Sequence, residues 1–154
     1  MIKLRFVTGN DFVSSVIRAA ERDGWCSHVE AVLADGSLLG AHFNGGVAIR
    51  PAGYDKDTLK RELFVELPGS QFHVGMFYEF LHEQVGKPYD TTGVVGLAVG
   101  RDWREQDSWF CSELIAAALE ECSYVHRLSS VSNHISPRDL LLVLSGIAPI
   151  LDAM

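Results

Sequence analysis

A stripe of six positions constrains this chain more than any other feature. Read at helical periodicity, Cys111, Leu114, Ile115, Ala118, Leu119 and Cys122 fall on one side of a helix over residues 109–122. A helix with one apolar side must turn that side toward a core. The chain has 154 residues, 47% of them hydrophobic, which is enough to build such a core in a single domain covering residues 1–154.

Strands supply the other wall. Residues 1–7 alternate apolar with basic side chains, and residues 27–33 place Val29, Ala31 and Leu33 on one face and His28, Glu30 and Val32 on the other. Asp35-Gly36 supplies a hairpin turn, residues 38–43 return, and residues 47–50 run to Pro51. Residues 59–67 alternate again and close at Pro68-Gly69. Helical spacing recurs at Phe12, Val13, Val16, Ile17 and Ala20, and again from Ser70 to Val85 before Gly86 and Pro88. Ser136-Pro137-Arg138-Asp139 reads as a cap with proline at the first helical position, opening an apolar run to Leu144. Residues 93–100, apolar and glycine-rich, fit either a short helix or a buried loop. The sum is an α+β chain without internal repeat or linker.

Charge narrows the partners. Thirteen basic against 20 acidic residues give a net charge of −7, which argues against nucleic acid and anionic membrane surfaces. The start of the chain lacks the long apolar core and cleavage site of a secretory signal, and the longest apolar stretch, residues 140–151, is broken by Ser145, Gly146 and Pro149. No integral membrane segment is expected, and the expected location is cytoplasmic, with delivery by a phage or secretion apparatus as the route outward. The three cysteines show no paired spacing for zinc, and no HExxH motif is present, so neither a metal nor a cofactor is expected.

Cys111 is the residue with chemical promise. It lies in the first turn of its helix, where the dipole favours a thiolate, and on the stripe that faces the core. A thiolate attacks carbonyl carbon but needs a base to take its proton and later deliver it to the leaving group. His28, on a strand that can pack on this helix, is the candidate base. The plainer reading is packing, because buried cysteines and half-exposed strand histidines are common. Cys122 sits at the disfavoured helix end, and Cys26 has no motif around it. His73, His82, His126 and His134 read as solvated.

Five short blocks occur in a telling order: Ser27-His28-Val29-Glu30, Gly45-Gly46-Val47, Gly86-Lys87-Pro88-Tyr89-Asp90, Phe110-Cys111-Ser112-Glu113-Leu114 and Ser136-Pro137-Arg138-Asp139-Leu140. Together they resemble the circularly permuted branch of the NlpC-like papain superfamily, the YiiX-type proteins, in which the histidine strand precedes the cysteine helix. The resemblance covers roughly residues 25–140. It implies a papain-like domain with helices packed on an antiparallel, barrel-like sheet. It also implies a cysteine hydrolase, an amidase or peptidase, that cleaves an amide bond through an acyl-enzyme.

Similar proteins carry a third polar residue on the strand after the histidine, often Glu, or His in relatives such as lecithin:retinol acyltransferase. That position selects His42 here. His42 faces His28 only if the turn around Ala34-Asp35-Gly36 has three loop residues, whereas a two-residue loop sets Phe43 opposite instead. Glu30, two residues beyond His28, is the alternative orienter, and its plainer reading is a solvated carboxylate. Tyr89 either lines the cleft and donates to an oxyanion or is a packed ring in a turn. The backbone N–H of Cys111 is a ready oxyanion donor. Expected substrates are a peptide, a peptidoglycan-like amide or a lipid-derived acyl group. Competing readings are an acyltransferase or lipid esterase with the same thiol chemistry, and a non-catalytic, virion-associated binding module.

Overall fold

The computed structural model describes residues 1–10, 15, 17, 25–92, 107–126, 135–147 and 150–152. The first five strands are β1 (Ile2–Gly9), β2 (His28–Val32), β3 (Leu38–His42), β4 (Gly46–Arg50) and β5 (Leu59–Leu67). Three helices follow, α1 (Gln71–Glu83), α2 (Cys111–Glu121) and α3 (Pro137–Ser145), and then β6 (Ile150–Asp152). The architecture is α+β. The strands form an antiparallel sheet in the order β4-β3-β2-β1-β5-β6.

Alternation divides the sheet. Leu4 pairs with Ala31 and Val65, and Ala31 pairs with Leu39, so one face is a continuous apolar row. These four side chains are fully buried, and they share one core cluster with Phe77 and Leu81 of α1, the α2 stripe, and Leu140 and Leu144 of α3. All six stripe positions of α2 are 0% exposed, as their spacing requires. α2 packs on α1, β2 and β3. The strand β6 is an addition to the sequence reading, which ran an apolar segment through residues 140–151 without assigning a strand there. The helix expected around residues 12–20 falls mostly outside the described residues, although Ser15 and Ile17 are helical. Residues 93–100 lie outside them entirely. No helix among the described residues is long and apolar enough to cross a membrane.

Caps set the helix ends. Ser70 accepts from the His73 N–H at 3.2 Å to start α1. Ser136 and Asp139 form a reciprocal capping box on α3, at 3.1 and 3.3 Å, with Pro137 at the first helical position. The Ser112 hydroxyl donates to the Ile135 carbonyl, tying α2 to the segment that leads into α3.

A backbone latch positions the start of α2. Val47 N–H donates to Lys87 O, and Gly86 N–H donates to Val47 O, each at 2.9 Å, so residues 86–87 cover the edge of β4. Two residues on, Trp109 N–H donates to Pro88 O at 3.1 Å and Asp90 N–H to Trp109 O at 3.0 Å, directly ahead of Phe110-Cys111. Trp109 Nε1 adds a bond to Gln84 Oε1 at 3.1 Å. Gly46 makes this approach possible, since its φ is +66° and a Cβ there would stand 2.2 Å from Lys87 O. Gly46→Ala is therefore expected to lower unfolding free energy by about 2 kcal/mol or more in urea titrations. An unchanged midpoint and slope would contradict the latch.

Candidate active site

The hairpin between β2 and β3 decides which polar side chains meet. Leu33 N–H donates to Ser37 O at 2.8 Å and Gly36 N–H to Leu33 O at 3.0 Å, leaving Ala34, Asp35 and Gly36 as a three-residue loop with Gly36 at φ +85°. The register of the two strands sets Ala31 opposite Leu39. Continued toward the strand ends, it sets Glu30 opposite Gly40 and His28 opposite His42. The imidazole rings of His28 and His42 accordingly lie 4.5 Å apart between centroids, tilted by 42°. Phe43 is turned outward.

β1 supplies the next row, because Arg5 pairs with Glu30 and Val7 with His28. Arg5 Nη1 donates to Glu30 Oε1 at 2.8 Å, Arg5 Nε to Glu62 Oε2 at 2.6 Å and Arg5 Nη2 to Asp55 Oδ1 at 3.1 Å. Tyr54, on the turn after β4, reaches in from above, with its hydroxyl 3.2 Å from Glu30 Oε2 and 3.4 Å from His42 Nδ1. Glu30 is 0% exposed, which overturns the plainer expectation of a solvated carboxylate. Gly40 leaves the space that this side chain needs, since a Cβ there would lie 2.9 Å from Glu30 Cβ.

Cys111 joins this cluster from the helix side. His28 is the first residue of β2 and Cys111 the first of α2, so both stand at element ends that converge. The helix that Cys111 begins packs on β2, and interaction with Cys111 is one of the causes that hold the charge on His28. His28 Nε2 lies 3.4 Å from Glu30 Oε2, and His42 Nε2 lies 3.4 Å from the same oxygen. The structure thus brings Cys111, His28, Glu30 and His42 together. The group in contact with a His28 nitrogen is Glu30, while His42 stacks beside the ring.

Electrostatics follow from these contacts. Burial works against charge on His28, but its interactions with Cys111 and Glu30 prevail and push it up to about 10. Burial likewise works against the Glu30 carboxylate, yet the two histidines hold it well below the usual carboxylate range. His42 goes the other way, lowered to about 4 by burial and by the neighbouring charge on His28. Around neutrality the cluster therefore holds a charged His28, an ionised Glu30 and a neutral His42. Burial and the Glu30 charge keep the Tyr54 hydroxyl protonated.

Other expected residues resolve more simply. The Tyr89 ring is buried, set edge-on against Phe43 at 6.0 Å and Phe110 at 5.9 Å, so the packed-ring reading holds for the ring. Phe110 caps α2 without a side-chain acceptor, and its N–H donates instead to Glu113 Oε2 at 3.4 Å. All three cysteines are buried thiols outside any disulfide, and Cys122 Sγ donates to Leu119 O at 3.4 Å. His82 and His126 are exposed and His73 partly so, while His134 lies outside the described residues.

Sequence reading missed Arg5, Tyr54, Asp55 and Glu62. Arg5 passed as one of two basic residues alternating along an edge of the first strand, and only its pairing with Glu30 reveals its use. No family model matches the chain, and no curated protein matches its sequence.

The His28 shift has a consequence for stability. A histidine raised from 6.5 to about 10 in the fold contributes stability that is complete below pH 6.5 and is lost as pH climbs toward 10. Urea unfolding in metal-free buffer should show declining stability across that window, and His28→Gln should flatten the decline. An equal slope in both proteins would mean that His28 carries no extra proton in the fold.

Proposed function

We propose that this chain is a cysteine hydrolase of permuted papain-like type, acting on an amide through Cys111, His28 and Glu30. The observation that carries this reading is the partner of Cys111. Cys26, Cys111 and Cys122 are equally buried, at 1%, 0% and 0% exposure, so burial does not single one out. Cys111 is the thiol that interacts with His28, an imidazole that also meets a buried carboxylate. It also begins a helix, where its backbone N–H has no intrahelical acceptor and the dipole favours negative charge.

The steps follow from that placement. The proton that the Cys111–His28 pair shares resides on His28 as the sulfur bonds to the carbonyl carbon, and the negative oxygen meets the Cys111 N–H. The carbon–nitrogen bond then breaks, His28 returns the proton to the departing amine, and an acyl-enzyme remains. Water, deprotonated by His28, releases the acid and restores the Cys111–His28 pair. Glu30 holds the imidazole orientation and balances its charge throughout, while His42 packs against the ring and remains neutral. Support for the permuted papain-like reading comes from the order of His28 before Cys111 and from the packing of α2 on β2 and β3.

Iodoacetamide near neutral pH is expected to modify Cys111 at least about tenfold faster than Cys26 or Cys122. His28→Ala should erase that preference. Equal rates at all three thiols in the unaltered chain would defeat the reading.

One observation favours a second reading, acyl transfer from a lipid donor. Phe43 is 54% exposed, follows His42 directly and stands edge-on to Tyr89, offering apolar surface one residue from the cluster for an acyl chain. A thioester trapped on Cys111 by a lipid acyl donor, with none from peptide esters, would select it over amide cleavage.

A further inference from the structure

Two nitrogens remain over once the hydrogen bonds of the cluster are assigned. His28 Nε2 and His42 Nε2 are closed off from solvent, and neither has a hydrogen-bond partner. Each lies 3.4 Å from one atom, Glu30 Oε2. A buried polar atom left in this state costs about 1–3 kcal/mol, so two of them gathered on one carboxylate oxygen mark a place for a cation. A tetrahedral zinc ion with bonds of about 2.0–2.1 Å holds its donor atoms about 3.3–3.4 Å apart. That is the separation found along both edges that meet at Glu30.

The surroundings suit a metal. All three donor atoms lie within 4.8 Å of one another, so closing the rings onto one ion needs a shift on the order of 1 Å. Glu30 Oε1 is held by Arg5, which fixes the carboxylate, and Oε2, which accepts from the Tyr54 hydroxyl, keeps a second lone pair for a ligand. The Tyr54 oxygen, 3.4 Å from His42 Nδ1, can accept a hydrogen bond from an Nδ1–H, and that tautomer presents the Nε2 lone pair to a metal. Zinc bound here displaces the proton that His28 carries around neutrality, which leaves Arg5 and Arg50 against Glu30, Asp55 and Glu62, two positive groups to three negative ones. Two imidazoles and a carboxylate form a donor set that zinc accepts, with a fourth position open.

We propose that His28 Nε2, Glu30 Oε2 and His42 Nε2 form a reversible zinc site, and that zinc bound there switches the thiol site off by occupying its base. The site stands on the three donors alone, whereas the switching consequence rests on the proposed function. Cys111 is not one of the required ligands, which separates this site from simple chelation between a thiol and an imidazole.

Zinc binding to the full chain, measured by calorimetry and by competition with a chromophoric chelator, tests the site directly. One ion per chain is expected, with affinity kept in Cys111→Ala and weakened at least tenfold in His42→Ala. His42→Gln, closer in size, repeats the test should the alanine variant lose its fold by circular dichroism. Loss of binding in Cys111→Ala, or undiminished binding in both His42 variants, would overturn the proposal. Cobalt substitution gives a second readout: visible bands without a sulfur-to-metal charge-transfer band support the site, and a charge-transfer band refutes it. The switch is read as at least tenfold slower alkylation of Cys111 with zinc than with chelator, and unchanged alkylation refutes the switch. Selective alkylation of Cys111 in chelator reports on the hydrolase reading independently, so the two can fail separately.

Discussion

The ion pair between Arg5 and Glu30 is the constraint on which the rest of this structure depends. A carboxylate with no exposed surface cannot remain ionised unless several groups share its charge, and the removal of one partner from such a cluster leaves others stranded. Glu30 uses four: Arg5 on one oxygen, and His28, His42 and Tyr54 around the other. Arg5 is in turn balanced by Asp55 and by Glu62, whose side chain is 29% exposed, so the charge is led by steps from the core toward water. Because Arg5 comes from β1, Glu30 from β2, His42 from β3 and Tyr54 from the turn after β4, satisfying this one carboxylate also fixes how four segments sit together.

A second constraint runs through backbone rather than charge. The glycines at 45–46 and the segment 86–90 look unrelated along the chain, yet hydrogen bonds join them at the edge of β4 and carry on to Trp109. The sulfur of Cys111 therefore inherits its position from the same sheet that carries His28. Side-chain contacts alone would leave the helix start free to slide along the sheet. The latch removes that freedom, and the position needs glycine because Lys87 O occupies the space of a Cβ.

Local pattern made the elements legible in the sequence, and register made the site only half legible. The α2 stripe, the capping box at Ser136 and the run from Leu59 to Leu67 are written in spacings of a few residues, so each survived into the fold with little change. The pairing of His28 with His42 depended on one loop residue, which composition around Asp35-Gly36 does not decide. Gly36 supplies the left-handed residue that a three-residue loop requires, and Ser37 donates to Asp35 Oδ1 within the same turn. Arg5 was hidden for a different reason: its partner lies 25 positions away, and an arginine between apolar neighbours reads as the wet side of a strand until both faces prove to be covered.

Stability alone gives no reason to build such a cluster. Apolar side chains of similar volume, packed where Glu30, His28 and Arg5 now stand, would serve a folded core as well or better, since desolvating paired charges costs several kcal/mol per ion. Cys122 shows what a thiol on the same stripe looks like without chemistry around it: burial raises it, and it donates to the carbonyl of its own helix. Cys111 has the same burial and the same helix but a different neighbourhood, assembled from distant segments at an energetic cost. Charge placed in a core at that cost, at the end of the stripe where Cys111 stands and not at the end where Cys122 stands, is what the proposed thiol chemistry requires and what packing does not.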